Sequence, residues 1–259
     1  MNRRRDTGLT SFQIPGGRTV LIDNRIGSAP ADATLLALAR RGAEEGYTVL
    51  SDFTSNEPPE TKGSVPRLHI CILLRPGKHV EYAGFIGAMG ALALSHAIER
   101  NSDYKTSIRW LGDIYAERRR IASVGSECML LPSGYLDYLI MHAVIELSPT
   151  HFPARMSDVV TRIFTSRRIE TADHLAQAML HDFFTMYDAM NRDGAENVPF
   201  WEEYRRRSYL IGRRVRVRVG TKKRVATVET VDASGCLCVT LRNGERLALT
   251  AQSQLISPR

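Results

Sequence analysis

Hydrophobic and polar positions change period several times along the chain, and each change marks an element. From Pro30, Leu35, Leu36, Leu38 and Ala39 share one helical face while Arg40, Arg41, Glu44 and Glu45 fall towards solvent, with Gly46 as the stop. Thr48 to Phe53 reads as a short strand. Leu68 to Leu74 is an almost unbroken apolar run, the signature of a strand covered on both faces. The segment between them, residues 54–66, holds three prolines and a glycine and reads as a loop. Glu81 to Arg100 is apolar on nearly every side, which predicts a buried helix. Its Gly84, Gly87 and Gly90 each cost a helix about 1 kcal/mol relative to alanine, so they predict close approach to a sheet. Thr106 to Trp110, Ile121 to Leu130 and Tyr135 to Leu147 read as strands, the first two joined through the charged hairpin 117–120. Two helices follow, Ala154 to Phe164 and Ala172 to Met190; in the second, Leu175, Met179, Phe183, Met186 and Met190 form a core stripe. Phe200 to Arg207 reads as a short amphipathic link.

After residue 208 the period becomes two. Val215, Val217 and Val219 alternate with Arg214, Arg216 and Arg218, as in a half-buried strand. Ser234-Gly235 and Asn243-Gly244 are hairpin-turn pairs that separate Val225 to Val231, Cys236 to Leu241 and Arg246 to Leu249. The chain is therefore expected to be α+β: a mixed sheet with packed helices over residues 1–208, followed by a small β-barrel over 209–259.

Composition changes this picture in two respects. With 43% hydrophobic and 24% charged residues over 259 positions, the chain is neither disordered nor fibrous. The net charge of +7 is local, because residues 205–224 hold ten Lys or Arg and no Asp or Glu. That run predicts a docking surface for anions, with an acidic protein preferred over nucleic acid because no aromatic platform is interleaved. Four scattered cysteines make neither a disulfide scaffold nor a C-x-x-C zinc site, so no metal site is expected and a reducing, cytoplasmic setting is. Gly84 to Ile98 is too short to span a bilayer.

Several local strings resemble the biotin protein ligases, of the biotin/lipoate ligase superfamily. Leu38-Ala39-Arg40-Arg41-Gly42 resembles the family's first helix, and Leu73-Leu74-Arg75-Pro76 its Leu-Leu-Arg-Pro strand end. Arg109-Trp110-Leu111-Gly112-Asp113-Ile114 sits where the family has Lys-Trp-Pro-Asn-Asp-Ile. Arg119-Arg120-Ile121-Ala122-Ser123-Val124 sits where it has Arg-Lys-Leu-Ala-Gly-Ile. His142 to Glu146, followed by Phe152-Pro153, lies at the Gly-x-Gly-x-Asn strand, and the terminal barrel resembles the family's SH3-like cap.

The resemblance implies activation of biotin by ATP and Mg²⁺ to biotinyl-5′-adenylate, then transfer to a lysine of an acidic biotin carboxyl carrier domain. It places Arg109 and Arg120, with Lys62, at the acyl-phosphate region. Trp110 and Asp113 would shape the slot or support nucleotide binding, Thr54 and Asp32 would border the biotin pocket, and His142 would fill or line it. The other reading is a non-catalytic protein that keeps the fold to bind a small acid, a carrier domain or another partner. A homodimer through an exposed sheet edge is compatible with either.

Overall fold

A computed structural model describes residues 9–14, 19–23, 31–53, 67–102, 104–116, 119–146, 169–194, 199–219, 221–250 and 255–258. The expected helix Ala154 to Phe164 and the loop 54–66 lie outside the described residues. The main sheet is mixed and has eight strands in the order β1-β2-β3-β4-β8-β7-β6-β5. These are β1 (Leu9–Gln13), β2 (Thr19–Asp23), β3 (Tyr47–Phe53), β4 (Arg67–Leu74), β5 (Thr106–Arg109), β6 (Asp113–Ala116), β7 (Arg119–Leu130) and β8 (Leu136–Glu146). Only β2 and β3 run parallel; the helix α1 (Ala31–Arg40) connects them. β1, β2 and β6 were not anticipated from periodicity. Instead of one charged hairpin after residue 116, two successive hairpins carry β5 to β6 and β6 to β7.

Both faces of β4 are buried, as its apolar run requires. Cys71 and Leu73 pack with Leu35, Ala39, Val49, Tyr138 and Ile140 beneath α1. Ile70, Ile72 and Leu74 face the opposite layer, made by α2 (Tyr82–Arg100) and α3 (Ile169–Asp193). In α3 the predicted stripe is the buried face, with Leu175, Met179, Phe183 and Met190 all at 0% exposure. Of the three α2 glycines, only Gly90 meets the expectation of close approach. A Cβ there would lie 2.3 Å from Met141 Sδ, whereas Gly84 and Gly87 have no neighbour within 4 Å. Arg75 ends the first helix: its Nη2 donates to Ala39 O at 2.8 Å and its Nε to Ala43 O at 3.1 Å.

The fourth described helix, α4 (Phe200–Arg206), is more deeply inserted than an amphipathic link: Phe200, Trp201 and Tyr204 are all buried. It leads to a second, antiparallel sheet of β9 (Arg214–Val219), β10 (Lys222–Val231), β11 (Leu237–Leu241), β12 (Arg246–Leu249) and β13 (Leu255–Pro258). The order is β12-β11-β10-β9-β13, with β12 and β13 at its two ends.

Charged groups fasten this C-terminal part to the main body. Arg207 donates through Nη1 to Glu99 of α2 at 2.7 Å and through Nε to Glu203 at 2.6 Å. Glu99 also accepts from Thr106 N at 2.7 Å. His96 lies between Asp182 of α3 and Glu203, at 3.4 and 3.5 Å. Burial by itself raises the Glu99 carboxyl pKa, but hydrogen bonds from Arg207 and Thr106 outweigh it and leave the pKa below the ordinary value. Asp182 follows the same logic: burial raises it, while His96, Arg100 and His181 lower it further.

A carboxyl whose folded pKa is depressed contributes stability above its unfolded pKa and loses it as pH falls through the folded value. Urea unfolding is therefore expected to show stability falling as pH drops below about 5. Glu99→Gln should cost about 2 kcal/mol near neutral pH and flatten part of that acid slope. An unchanged slope in the variant would show that Glu99 contributes none of it.

Candidate anion site

Arg109 ends β5 and Asp113 begins β6, and the two are paired across the hairpin. The Arg109 Nη1 lies 3.9 Å from Asp113 Oδ2 and donates to the Tyr115 hydroxyl at 3.4 Å. A register shift between Ile114 and Tyr115 sets Arg120 opposite Tyr115, which brings Arg120 Nη1 to 3.6 Å from Asp113 Oδ1. Two guanidinium groups thus share one carboxylate. Arg109 Nε is also enclosed without a hydrogen-bond partner. An orphaned buried donor costs about 1–3 kcal/mol.

Sheet register extends the site. Arg109, Asp113, Ser123, Val144 and His69 pair successively across β5, β6, β7, β8 and β4. Side chains paired in this way emerge on one face. It is the face on which α1 covers Tyr138 and Ile140 further along β8. One register step away, His142 pairs with Gly125. A Cβ at Gly125 would lie 2.5 Å from His142 Nε2, so the imidazole occupies the space that this glycine leaves.

The turn between the two site strands is held tightly. Gly112 O accepts from Val124 N at 2.8 Å, and a Cβ on Gly112 would approach Val124 O to 2.2 Å. Trp110 is only 7% exposed and its Nε1 donates to Gly235 O in the C-terminal sheet at 2.8 Å. The Tyr204 hydroxyl donates to Leu111 O at 2.8 Å, and burial pushes that phenol's pKa well up, keeping it a neutral donor. Ile108 N donates to Arg207 O at 2.7 Å, and its carbonyl accepts from Tyr209 N at 2.8 Å. Tyr209 stacks on Tyr115 with ring centroids 5.0 Å apart, and the Arg213 guanidinium lies 4.2 Å from the centre of its ring.

Arg109, Arg120 and Asp113 are therefore brought together, while Trp110 faces the junction with the second sheet and His142 lies one step along the face. Lys62 and Thr54 lie outside the described residues, as do the side chains of Asp32 and Glu146. Among the described residues, no three His, Cys, Asp or Glu side chains gather to hold a metal. Among the described residues, no helix is long and apolar enough to cross a membrane. Sequence reasoning missed Tyr115, Tyr204 and Tyr209. Tyr115 was detectable in principle, because in a strand it shares the face of Asp113 two residues earlier.

No protein-family profile and no curated protein sequence matches the chain. Among solved structures, biotin protein ligase from Aquifex aeolicus superposes with a TM-score of 0.66 at 17% identity, covering 91% of this chain and 99% of that chain. The same enzyme in complex with biotin and ATP gives 0.64 at 15% identity, covering 89% and 96%. A biotin protein ligase-like protein of unknown function from Silicibacter sp. gives 0.65 at 13% identity, covering 86% and 92%. The chain has the biotin protein ligase fold; at these identities the likeness is one of fold.

Gly112→Ala tests the turn. Val124 O is backbone and cannot swing aside, so the variant should lose about 2 kcal/mol in chemical denaturation. A loss within about 0.5 kcal/mol would show that the turn yields.

Proposed function

We propose that the chain is a biotin protein ligase-like protein that activates a small carboxylic acid, biotin foremost, with ATP and passes the acyl group to a lysine of an acidic carrier domain. The observation that carries this reading is the convergence of Arg109 and Arg120 on Asp113, within a biotin ligase fold. In the reaction the acid's carboxylate attacks the α-phosphorus of ATP and pyrophosphate leaves; a lysine amine then attacks the acyl carbon and AMP leaves. Charge builds on the phosphoryl oxygens in the first step, and fixed guanidinium donors in a partly dry site stabilise it without reorganising. The partly exposed ends of the Arg109 and Arg120 guanidiniums fit an anionic oxygen, Asp113 holds the two cations in place, and Mg²⁺ would enter with the ATP phosphates. Closure of the C-terminal sheet into an SH3-like barrel, as a unit from about residue 209, belongs to the same reading. A cytoplasmic setting belongs to the same reading.

A second reading, a binding protein without adenylation, is favoured by one observation. His142 fills the space over Gly125, so less of this face is left for a nucleotide and acid together.

Biotin-dependent pyrophosphate release from ATP, with mass detection of biotinyl-5′-adenylate, separates the two. The ligase reading expects turnover that falls about 100-fold or more in Arg109→Ala and in Arg120→Ala. Biotin binding without pyrophosphate release would leave the binding-protein reading, and no binding of biotin or ATP would dismiss both.

A further inference from the structure

We propose that the outward face of the C-terminal sheet docks an extended acidic protein segment on a ladder of Arg214, Arg216, Arg218 and Lys223. This goes beyond the reading above and rests on a different surface. Strand alternation sends Val215 and Val217 into the core at 0% exposure and leaves Arg214, Arg216 and Arg218 exposed on the other side. Register then places Lys223 opposite Arg218, Val225 opposite Arg216 and Thr227 opposite Arg214. The face continues through Thr240 to Arg246 on β12.

Two features separate this ladder from an ordinary solvated strand. Like charges directly opposite one another destabilise a sheet, yet Lys223 and Arg218 are such a pair, and among the described residues no carboxylate is ion-paired with any rung. Nor do the cations guard an edge against aggregation, because β9 lies inside the sheet between β10 and β13. The folded protein thus carries an unfavourable interaction that an anionic partner would relieve.

Geometry favours a peptide partner. Successive arginines on β9 are about 6.6–6.8 Å apart, the spacing of alternate side chains in any extended segment. A segment with carboxylates at every second position presents one to each guanidinium, which binds it in a planar fork. The outward positions, Arg, Lys, Val and Thr, offer no aromatic surface on which bases would stack. Beside the ladder is a depression of about 160 Å³, lined by Arg214, Thr227, Thr240, Arg242 and Glu229 among others, with room for a neutral side chain of the docked segment.

The test is fluorescence anisotropy of a labelled peptide of alternating Glu and Thr with the full chain, alongside thermal unfolding. The wild type should bind it, more weakly as salt rises. Arg218→Glu should weaken binding about tenfold while raising Tm by about 1–3 °C, because it converts the like-charge pair into an opposite-charge pair. Arg216→Glu, which faces Val225, should weaken binding without that gain. Arg41→Glu, the same charge change in the exposed turn after α1, should alter neither. Peptide binding unaffected by Arg218→Glu and Arg216→Glu, no peptide binding at low salt, or tighter binding of a uridine-rich RNA of equal charge would each overturn the proposal.

Discussion

Four consecutive residues, Ile108 to Leu111, are fastened to the C-terminal part of the chain, and the candidate site depends on that fastening. Ile108 exchanges backbone hydrogen bonds with Arg207 and Tyr209, the Trp110 indole reaches Gly235, and Leu111 O accepts from Tyr204. Arg109, between them, touches Tyr115, which stacks on Tyr209. Left alone, β5 would be a four-residue edge strand, too short to hold a long cationic side chain in register. The second sheet and its connecting helix make up for this shortness by satisfying the outer edge of β5 and enclosing the turn.

That arrangement explains how an arginine with an unsatisfied donor persists beside a second arginine. Exposed guanidinium groups would spread into solvent, and their pairing with a carboxylate would be worth little. Here the backbone on both sides of Arg109 is fastened, its side chain is only 21% exposed, and Asp113 offsets part of the repulsion from Arg120. Electrostatic work is done in advance by the fold, which is the condition for a fixed donor to act on a transferring phosphoryl group. The Glu99, Arg207 and Glu203 contacts serve the same junction from the helix side.

Much of this was legible in the sequence where a local pattern reported it. The unbroken run Leu68 to Leu74 announced a strand buried on both faces, the α3 stripe announced its core face, and the Val/Arg alternation announced β9. Motif positions pointed to Arg109, Arg120 and Asp113, which the fold brings together. What escaped detection had no local period. Asp113 to Ala116 is a strand of only four residues with too few positions to show alternation. Phe200, Trp201 and Tyr204 looked like one face of a surface link, yet all three are buried where α4 is wedged among α2 and the second sheet. The Trp110–Gly235 and Tyr115–Tyr209 contacts span about half of the chain or close it across the sheet edge, and nothing in the neighbouring residues encodes them.

The claim that a phosphoryl anion belongs beside the clamped turn is most directly tested by a crystal structure of the full chain grown with biotin and ATP. The account predicts phosphoryl density with an oxygen about 3 Å from a guanidinium Nη of Arg109 and within reach of Arg120, on the face that carries Asp113 and Ser123. Nucleotide density elsewhere, with no phosphoryl oxygen beside Arg109 or Arg120, would contradict it.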